Sequence, residues 1–425
     1  MSARSASPPP APRRGRRFVR PAAILMVLGP GLIAANAGND AGGIFAYASA
    51  GQHFEYRTMF LAVLIIAALV AVQEMAARLG AYSGEGLMSL VREEFSLRLG
   101  TFAVVCLLVA NLGLVVSEFA GIGAALQIFG VTKYISIPVA AVAILSIVML
   151  GSYRRAERIF LALSLVFLAY PIAMILANPD WAQVAKDTFV PHFVASRDFL
   201  LLAVALVGTT ITPYMQLYQA AAVADRGIGP DEYRHERIDA IAGSLFAGFI
   251  FLSILIATGA AIGKSGHPLT SAADAARALE PVAGAGAETL FAIGLLGASM
   301  LAAAIVPLST AYGLAEAVGA ERSVSRKFRE APLFLGLFTG QVVIGALVAL
   351  IPVNLIDLLI GMQILNGFIT PVILGFLYVL TNRPSAVGLG VNGPRFRVFA
   401  LICVIVVSVL AVSAFGVTVA QFFGF

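Results

Sequence analysis

Asn36-Ala37-Gly38-Asn39-Asp40-Ala41-Gly42-Gly43 interrupts an apolar stretch that runs from residue 21 to residue 50. The run is a poor continuous helix. Each glycine costs roughly 1 kcal/mol relative to alanine in a helix interior, and the Asn and Asp side chains compete for backbone hydrogen bonds. If the flanking residues cross a membrane, the freed backbone groups need protein or a water-filled cavity to satisfy them. A carboxylate at that depth, Asp40, needs a partner as well.

The rest of the chain supports the membrane reading. Of its 425 residues, 60% are hydrophobic and 12% charged, and the mean hydropathy is +0.92, which excludes an ordinary soluble domain. Apolar stretches of spanning length recur at 21–50, 57–80, 99–129, 134–151, 156–177, 198–224, 238–263, 285–318, 330–352, 354–381 and 397–421. This predicts an all-α polytopic membrane protein with eleven transmembrane helices. With the N-terminus in the cytoplasm, 22 of the 28 Lys and Arg lie in or beside cytoplasmic segments; Arg57, Lys133, Lys186, Arg197, Lys264 and Arg277 lie outside. That bias matches the positive-inside rule, puts the C-terminus outside, and accounts for the basic charge without nucleic acid. The expected location is the plasma (inner) membrane.

Residues 1–20, rich in Ser, Pro and Arg, read as a disordered cytoplasmic tail ahead of one transmembrane domain, 21–425. Cys106 and Cys403 sit in apolar spans and read as packing residues rather than a disulfide or metal site. The longest polar connections, near 178–197 and 264–284, fall outside and either cap an entrance or link helices.

The sixth span carries a second interruption, Gly208-Thr209-Thr210-Ile211-Thr212-Pro213-Tyr214. Pro213 lacks an N–H and frees the Thr209 carbonyl one turn earlier. A simple proline kink is the competing reading, but a kink accounts for neither Asp40 nor its asparagines. Breaks in spans one and six occupy corresponding places if spans 1–5 and 6–10 are repeats. An odd number of spans per repeat inverts the second copy, and paired interruptions in inverted halves point to a midplane substrate site.

These residues resemble the NRAMP family of divalent-metal transporters, and more closely its NRAMP-related branch, associated with magnesium and manganese. Gly29-Pro30-Gly31 opens span one and Asp40-Ala41-Gly42-Gly43 stands where the family has Asp-Pro-Gly-Asn. Arg78-Leu79-Gly80 closes span two, while Glu118, Gly121 and Gly123 resemble span three. Gly208 to Tyr214 stands at the Met-Pro-His motif, and Gln363 to Pro371 resembles span ten. The resemblance implies a LeuT-like inverted repeat with interrupted helices 1 and 6, working by alternating access.

It further implies Asp40 as the main cation ligand, helped by the carbonyls of Ala37 and Thr209. Thr212 takes the methionine position, Gly43 the asparagine position and Tyr214 the histidine position. Losing thioether and amide leaves oxygen ligands, from Asp40, Thr212, carbonyls and Asn36 or Asn39. Such a set suits a hard ion that keeps part of its water shell, so Mg²⁺ is expected, with Mn²⁺ as co-substrate. The smaller Gly43 and Thr212 are expected to widen the site. Met215 reads as packing. Gln363 and Asn366, one turn apart, are expected to line the cavity.

Proton coupling is expected to be weak or absent. None of His53, His192, His235 and His267 falls mid-span, and Tyr214 replaces the usual titratable residue. Glu118 survives in span three, but Val115 replaces its usual aspartate partner. Glu118 lines the pathway or couples transport, pairs with an arginine, or makes a structural hydrogen bond. Glu74, Glu316 and Asp357 read as interfacial or inter-helix groups, and Asn111 as an interhelical hydrogen-bonding residue.

No cofactor is expected beyond the metal ion as substrate, and the predicted partners are that ion and membrane lipid, with no nucleic acid and no obligate protein. The alternatives are a proton-coupled Mn²⁺/Fe²⁺ transporter, a carrier of a small organic substrate such as an amino acid, and a channel or receptor-like protein in which Asp40 is structural. No nucleophile with a base, metal-ligand cluster or phosphate loop argues for an enzyme.

Overall fold

The computed structural model describes residues 38–149, 168–194, 196–261, 271–280, 284–320 and 328–422, and these form helices and connections without a strand. The 1–20 tail, Asn36, Ala37 and His267 lie outside the described residues. The main helices in chain order are α1 (Ala41–Phe54), α2 (Met59–Ser83), α3 (Leu87–Glu94), α4 (Leu97–Ile128), α5 (Lys133–Met149), α6 (Ala169–Leu176) and α7 (Trp181–Phe189). Then come α8 (Arg197–Thr210), α9 (Pro213–Asp225), α10 (Tyr233–Ala261), α11 (Ala287–Val318), α12 (Pro332–Ala349), α13 (Leu355–Thr381) and α14 (Pro394–Phe422).

Eight helices among the described residues are long and apolar enough to cross a bilayer, with α8 and α9 together making one of them, and α5 is a shorter apolar helix. The remaining spans of the sequence reading, the first and the fifth, are described only from Gly38 and from Leu168. The order of the described helices fits the two repeats expected from the sequence, with α2 corresponding to α10, α4 to α11 and α5 to α12, and α14 following them. Both α2/α10 and α4/α11 pack directly against each other.

Helix ends follow local chemistry. Ser196 caps α8 by accepting from Phe199 N at 3.2 Å, and Asn354 caps α13 by accepting from Ile356 N at 3.0 Å. Gly84 and Gly319 close α2 and α11 in the left-handed region. The 178–197 connection contains the short helix α7, capped by Asp180.

Helix α1 sits at the centre, touching α4, α8, α10, α11 and α13, and every residue from Ala41 to Gly51 is buried. The periphery is the reverse: α14 exposes Val398, Phe399, Ile402, Ile405, Val409 and Val412, an apolar surface suited to lipid. Helices α8 and α13 approach backbone to backbone. A Cβ on Gly208 would run into Gln363 O and Gly367 N, and one on Gly367 into Val204 O.

Glu74 and Arg78 on α2 form a buried ion pair joined by Tyr233 and Arg237 of α10. Arg78 also donates to Asn392 Oδ1 at 2.8 Å, and Asn392 donates to Thr381 Oγ1 at 3.1 Å. Glu316 accepts from Met88 N at 3.1 Å, capping α3 from another helix. Asn111 donates to Thr310 Oγ1 at 2.7 Å, bridging α4 and α11. All three side chains thus have inter-helix partners, as read from the sequence. Both cysteines are free thiols.

Candidate functional site

The second interruption is present where the sequence places it, and the first is non-helical over its described part, from Gly38 to Asp40. Gly38 to Asp40 form a turn, and α1 begins at Ala41 with Asp40 as its N-cap, Oδ1 accepting from Gly43 N at 2.6 Å. Helix α8 ends at Thr210, Ile211 and Thr212 leave helical geometry, and α9 restarts at Pro213, which needs no N–H at a first helical position.

The two breaks meet. The start of α1 lies beside the end of α8: Tyr47 Oη and Thr210 Oγ1 are 3.2 Å apart, and a Cβ on Gly43 would stand 2.8 Å from Thr209 Oγ1. Helix α13 ties the breaks together from a third side. Gln363 Nε2 lies 3.5 Å from Asp40 Oδ1 and directly over Gly42, while Thr370 donates to Ile211 O at 3.2 Å. Asn366 is equally buried, but its amide donates back to Met362 O at 2.8 Å. Of the expected pair, only Gln363 reaches Asp40.

The Thr209 carbonyl that Pro213 frees from the helical ladder is not bare. Thr212 Oγ1 donates to it at 2.7 Å, so two of the expected ligand groups are each other's partners. The space expected to open at Gly43 is likewise filled, by the Thr209 hydroxyl. That hydroxyl was not singled out in the sequence; three threonines within one break were the available signal.

Glu118 stands beside the first break, hydrogen-bonded there and paired with no arginine among the described residues. Its Oε2 accepts from Ala41 N at 3.3 Å, the residue after Asp40, so two carboxylates hold the N-terminus of α1. Helix dipoles favour negative charge there, and they present the carbonyl end of α8 to the same region. Asp40 and Glu118 are both 0% exposed, and no Lys, Arg or His among the described residues pairs with either.

Asp40, Thr209, Glu118 and Ser299 form one buried polar cluster, in which Asp40 reaches Thr209 and Glu118 and Glu118 reaches Ser299; Tyr214 Oη and Gln363 Oε1 are buried without a hydrogen-bond partner among the described residues. Asn39 is buried with its Nδ2 unpartnered in the same sense. Ser299 of α11 was missed, as was Gln73 of α2, wholly buried with neither amide atom bonded among the described residues. A single Ser or Gln in an apolar span carries no periodic signal.

A family model described as natural resistance-associated macrophage protein-like matches residues 31–416. The chain belongs to the Nramp family. It is a membrane transporter of that family and not an enzyme. The divalent metal cation transporter MntH of Bacillus subtilis (strain 168) is 30% identical over 302 residues, covering 67% of this chain and 69% of that protein. MntH of Ralstonia nicotianae is 32% identical over 292 residues, 65% of each. MntH of Acidiphilium cryptum is 26% identical over 388 residues, 87% of this chain and 85% of that protein.

The Nramp fold extends across the structure. The Eremococcus coleocola manganese transporter superposes with a TM-score of 0.76 at 20% identity, covering 97% of this chain and 90% of that one. MhsT, in complex with L-phenylalanine, gives 0.60 at 14% identity over 91% and 97%. At such identities the likeness speaks for the LeuT-like fold alone.

Proposed function

We propose that this Nramp-family transporter carries a divalent metal cation, with Mg²⁺ as its main substrate and Mn²⁺ as a second one, by alternating access and with little or no proton coupling. Its ligands are Asp40, the carbonyls of Ala37 and Thr209, and Thr212; Asn36, Asn39, Gly43, Tyr214 and Gln363 line the site, with Asn366 behind Gln363. The observation that carries this reading is the wholly buried Asp40 carboxyl group, without a cationic partner among the described residues, where the start of α1 meets the break between α8 and α9. A buried charge of this kind calls for a counter-ion.

The neighbouring side-chain atoms favour a hard ion. Thr209, Thr212 and Gln363 offer oxygens and no sulfur, and Mg²⁺ accepts a few protein oxygens while retaining waters. The packing of Gln363 over Gly42 and Thr209 over Gly43 leaves little room for the side chain of an organic substrate. The manganese and divalent-metal descriptions of the relatives support the ion class. Proton coupling is disfavoured because Tyr214 replaces a histidine and no described histidine reaches the site. The membrane is taken to be the plasma (inner) membrane, with the N-terminus cytoplasmic and the C-terminus outside.

The test is initial-rate uptake of Mg²⁺, Mn²⁺ and Ca²⁺ into proteoliposomes, with Asp40→Ala as the comparison. Loss of Mg²⁺ uptake in the variant is expected. Uptake of Mg²⁺ by Asp40→Ala at the wild-type rate overturns the ligand assignment.

A further inference from the structure

Two oxygen atoms close to Asp40 have no part in that ligand set. Glu118 and Ser299 are fully buried, and the Glu118 carboxyl group lies within reach of both the Ser299 hydroxyl and Asp40. They belong to α4 and α11, the third and eighth spans, which correspond in the two repeats and pack against each other. The breaks of spans one and six are therefore matched by a second pair of polar groups in corresponding spans.

Gly121 makes their meeting possible. It lies almost one turn after Glu118, and a Cβ there would stand 2.6 Å from Ser299 Oγ and 2.5 Å from Ala41 Cβ. Ala41 N in turn donates to Glu118 Oε2 at 3.3 Å. Ser299 thus points across a notch in α4 toward the first residue of α1, where Glu118 is already bound. The Ser299 hydroxyl, the Glu118 carboxyl and the Asp40 cap therefore lie together at the start of α1.

Charge gives the region its chemistry. Two carboxylates are buried within a residue of each other's contacts, and no cationic side chain among the described residues pairs with them. The partial positive charge of one helix end is smaller than either carboxylate charge, and burying unpaired like charges is strongly unfavourable. A hydroxyl and a carboxylate oxygen are hard ligands, and a cation held by two of them completes its shell with water.

We propose that Glu118 Oε1 and Ser299 Oγ form a second station for a hard divalent cation, beside the Asp40 site and carried by α4 and α11. The inference rests on Asp40 being an ion ligand. A partly hydrated ion passes between Asp40 on the broken helices and Glu118–Ser299 on the pair beside them, keeping one carboxylate oxygen at each step.

The experiment is calorimetric titration of Mg²⁺ into the full chain in nanodiscs, for wild type, Asp40→Ala, and Asp40→Ala combined with Ser299→Ala or Ser299→Thr. Size-exclusion profiles check that each variant is folded. Wild type is expected to bind two ions of unequal affinity and Asp40→Ala to keep the weaker one. Adding Ser299→Ala weakens that remaining binding by about tenfold, the loss of one ligand, while Ser299→Thr retains it. No binding in Asp40→Ala, or equal binding with and without Ser299→Ala, overturns the station. Wild-type Mg²⁺ uptake by Asp40→Ala would instead overturn the Asp40 assignment, and the double variants would still decide the role of Ser299.

Discussion

Thr209 Oγ1 occupies the space over Gly43, 2.8 Å from where a Cβ on that glycine would stand; Gly38 O is equally close, and Asp40 Oδ1 follows at 3.2 Å. A residue of the sixth-span break therefore fills a gap left by a residue of the first. The small glycine opens no free space there; it admits a hydroxyl. An oxygen on a short side chain stands where the resemblance predicts an amide.

Gly43→Asn alone should therefore harm transport. Overpacking of a filled core costs about 1–3 kcal/mol, and here the added atoms meet a backbone carbonyl as well as Thr209. Adding Thr209→Ala should recover part of the Mg²⁺ uptake. Adding Thr212→Met to that pair should shift preference toward Mn²⁺ by supplying sulfur. Competition uptake of the two ions measures both effects, and normal Mg²⁺ transport by Gly43→Asn would contradict the packing described.

Mg²⁺ influx should leave internal pH unchanged. A trapped pH dye followed during uptake reads this directly. Acidification that scales with Mg²⁺ entry would show that protons travel with the ion and that Tyr214 is an insufficient reason for excluding them.

The α8/α13 crossing yields a third prediction, with controls inside the same helix. Gly208→Ala or Gly367→Ala forces apart two backbones in contact and should lower stability by about 1–3 kcal/mol, seen as a lower melting temperature. Because Gln363 rides on that crossing, Mg²⁺ uptake should fall too. Gly361 and Gly375, also on α13, face open space, and alanine there should change little. Equal effects at all four positions would mean the close approach is not what matters.

In the Glu74–Arg78 network, Arg78→Met leaves Glu74 buried with only the partly exposed Arg237 and Tyr233 for company. Breaking a buried pair from one side costs about 3–5 kcal/mol, while replacing both partners by apolar groups is often tolerated. Thermal unfolding should find Arg78→Met much less stable than Glu74→Leu/Arg78→Met. The opposite order would make the pair incidental.

The parts of this fold that could be read from sequence are those where a residue type is costly unless the backbone breaks. Asp40 among glycines and Thr212 before Pro213 announce themselves because a membrane helix cannot absorb them cheaply. Gln363 was legible as an amide in an apolar span, one turn from Asn366. Contacts made across the fold were not. Nothing in the order of residues says that Thr209 fills Gly43, that Gly121 receives Ser299, or that Asn366 turns back on its own helix. Helix α7 was hidden by its polar face, and Gln73 by its isolation.

The Thr212 hydroxyl on the Thr209 carbonyl gives the broken sixth helix a local plug. The gap in the ladder is stitched by a side chain that pivots on a single torsion. Rotation about that torsion alone would uncover both oxygens with the main chain left in place. A break closed in this way keeps its backbone stiff while holding two oxygens one side-chain turn from release.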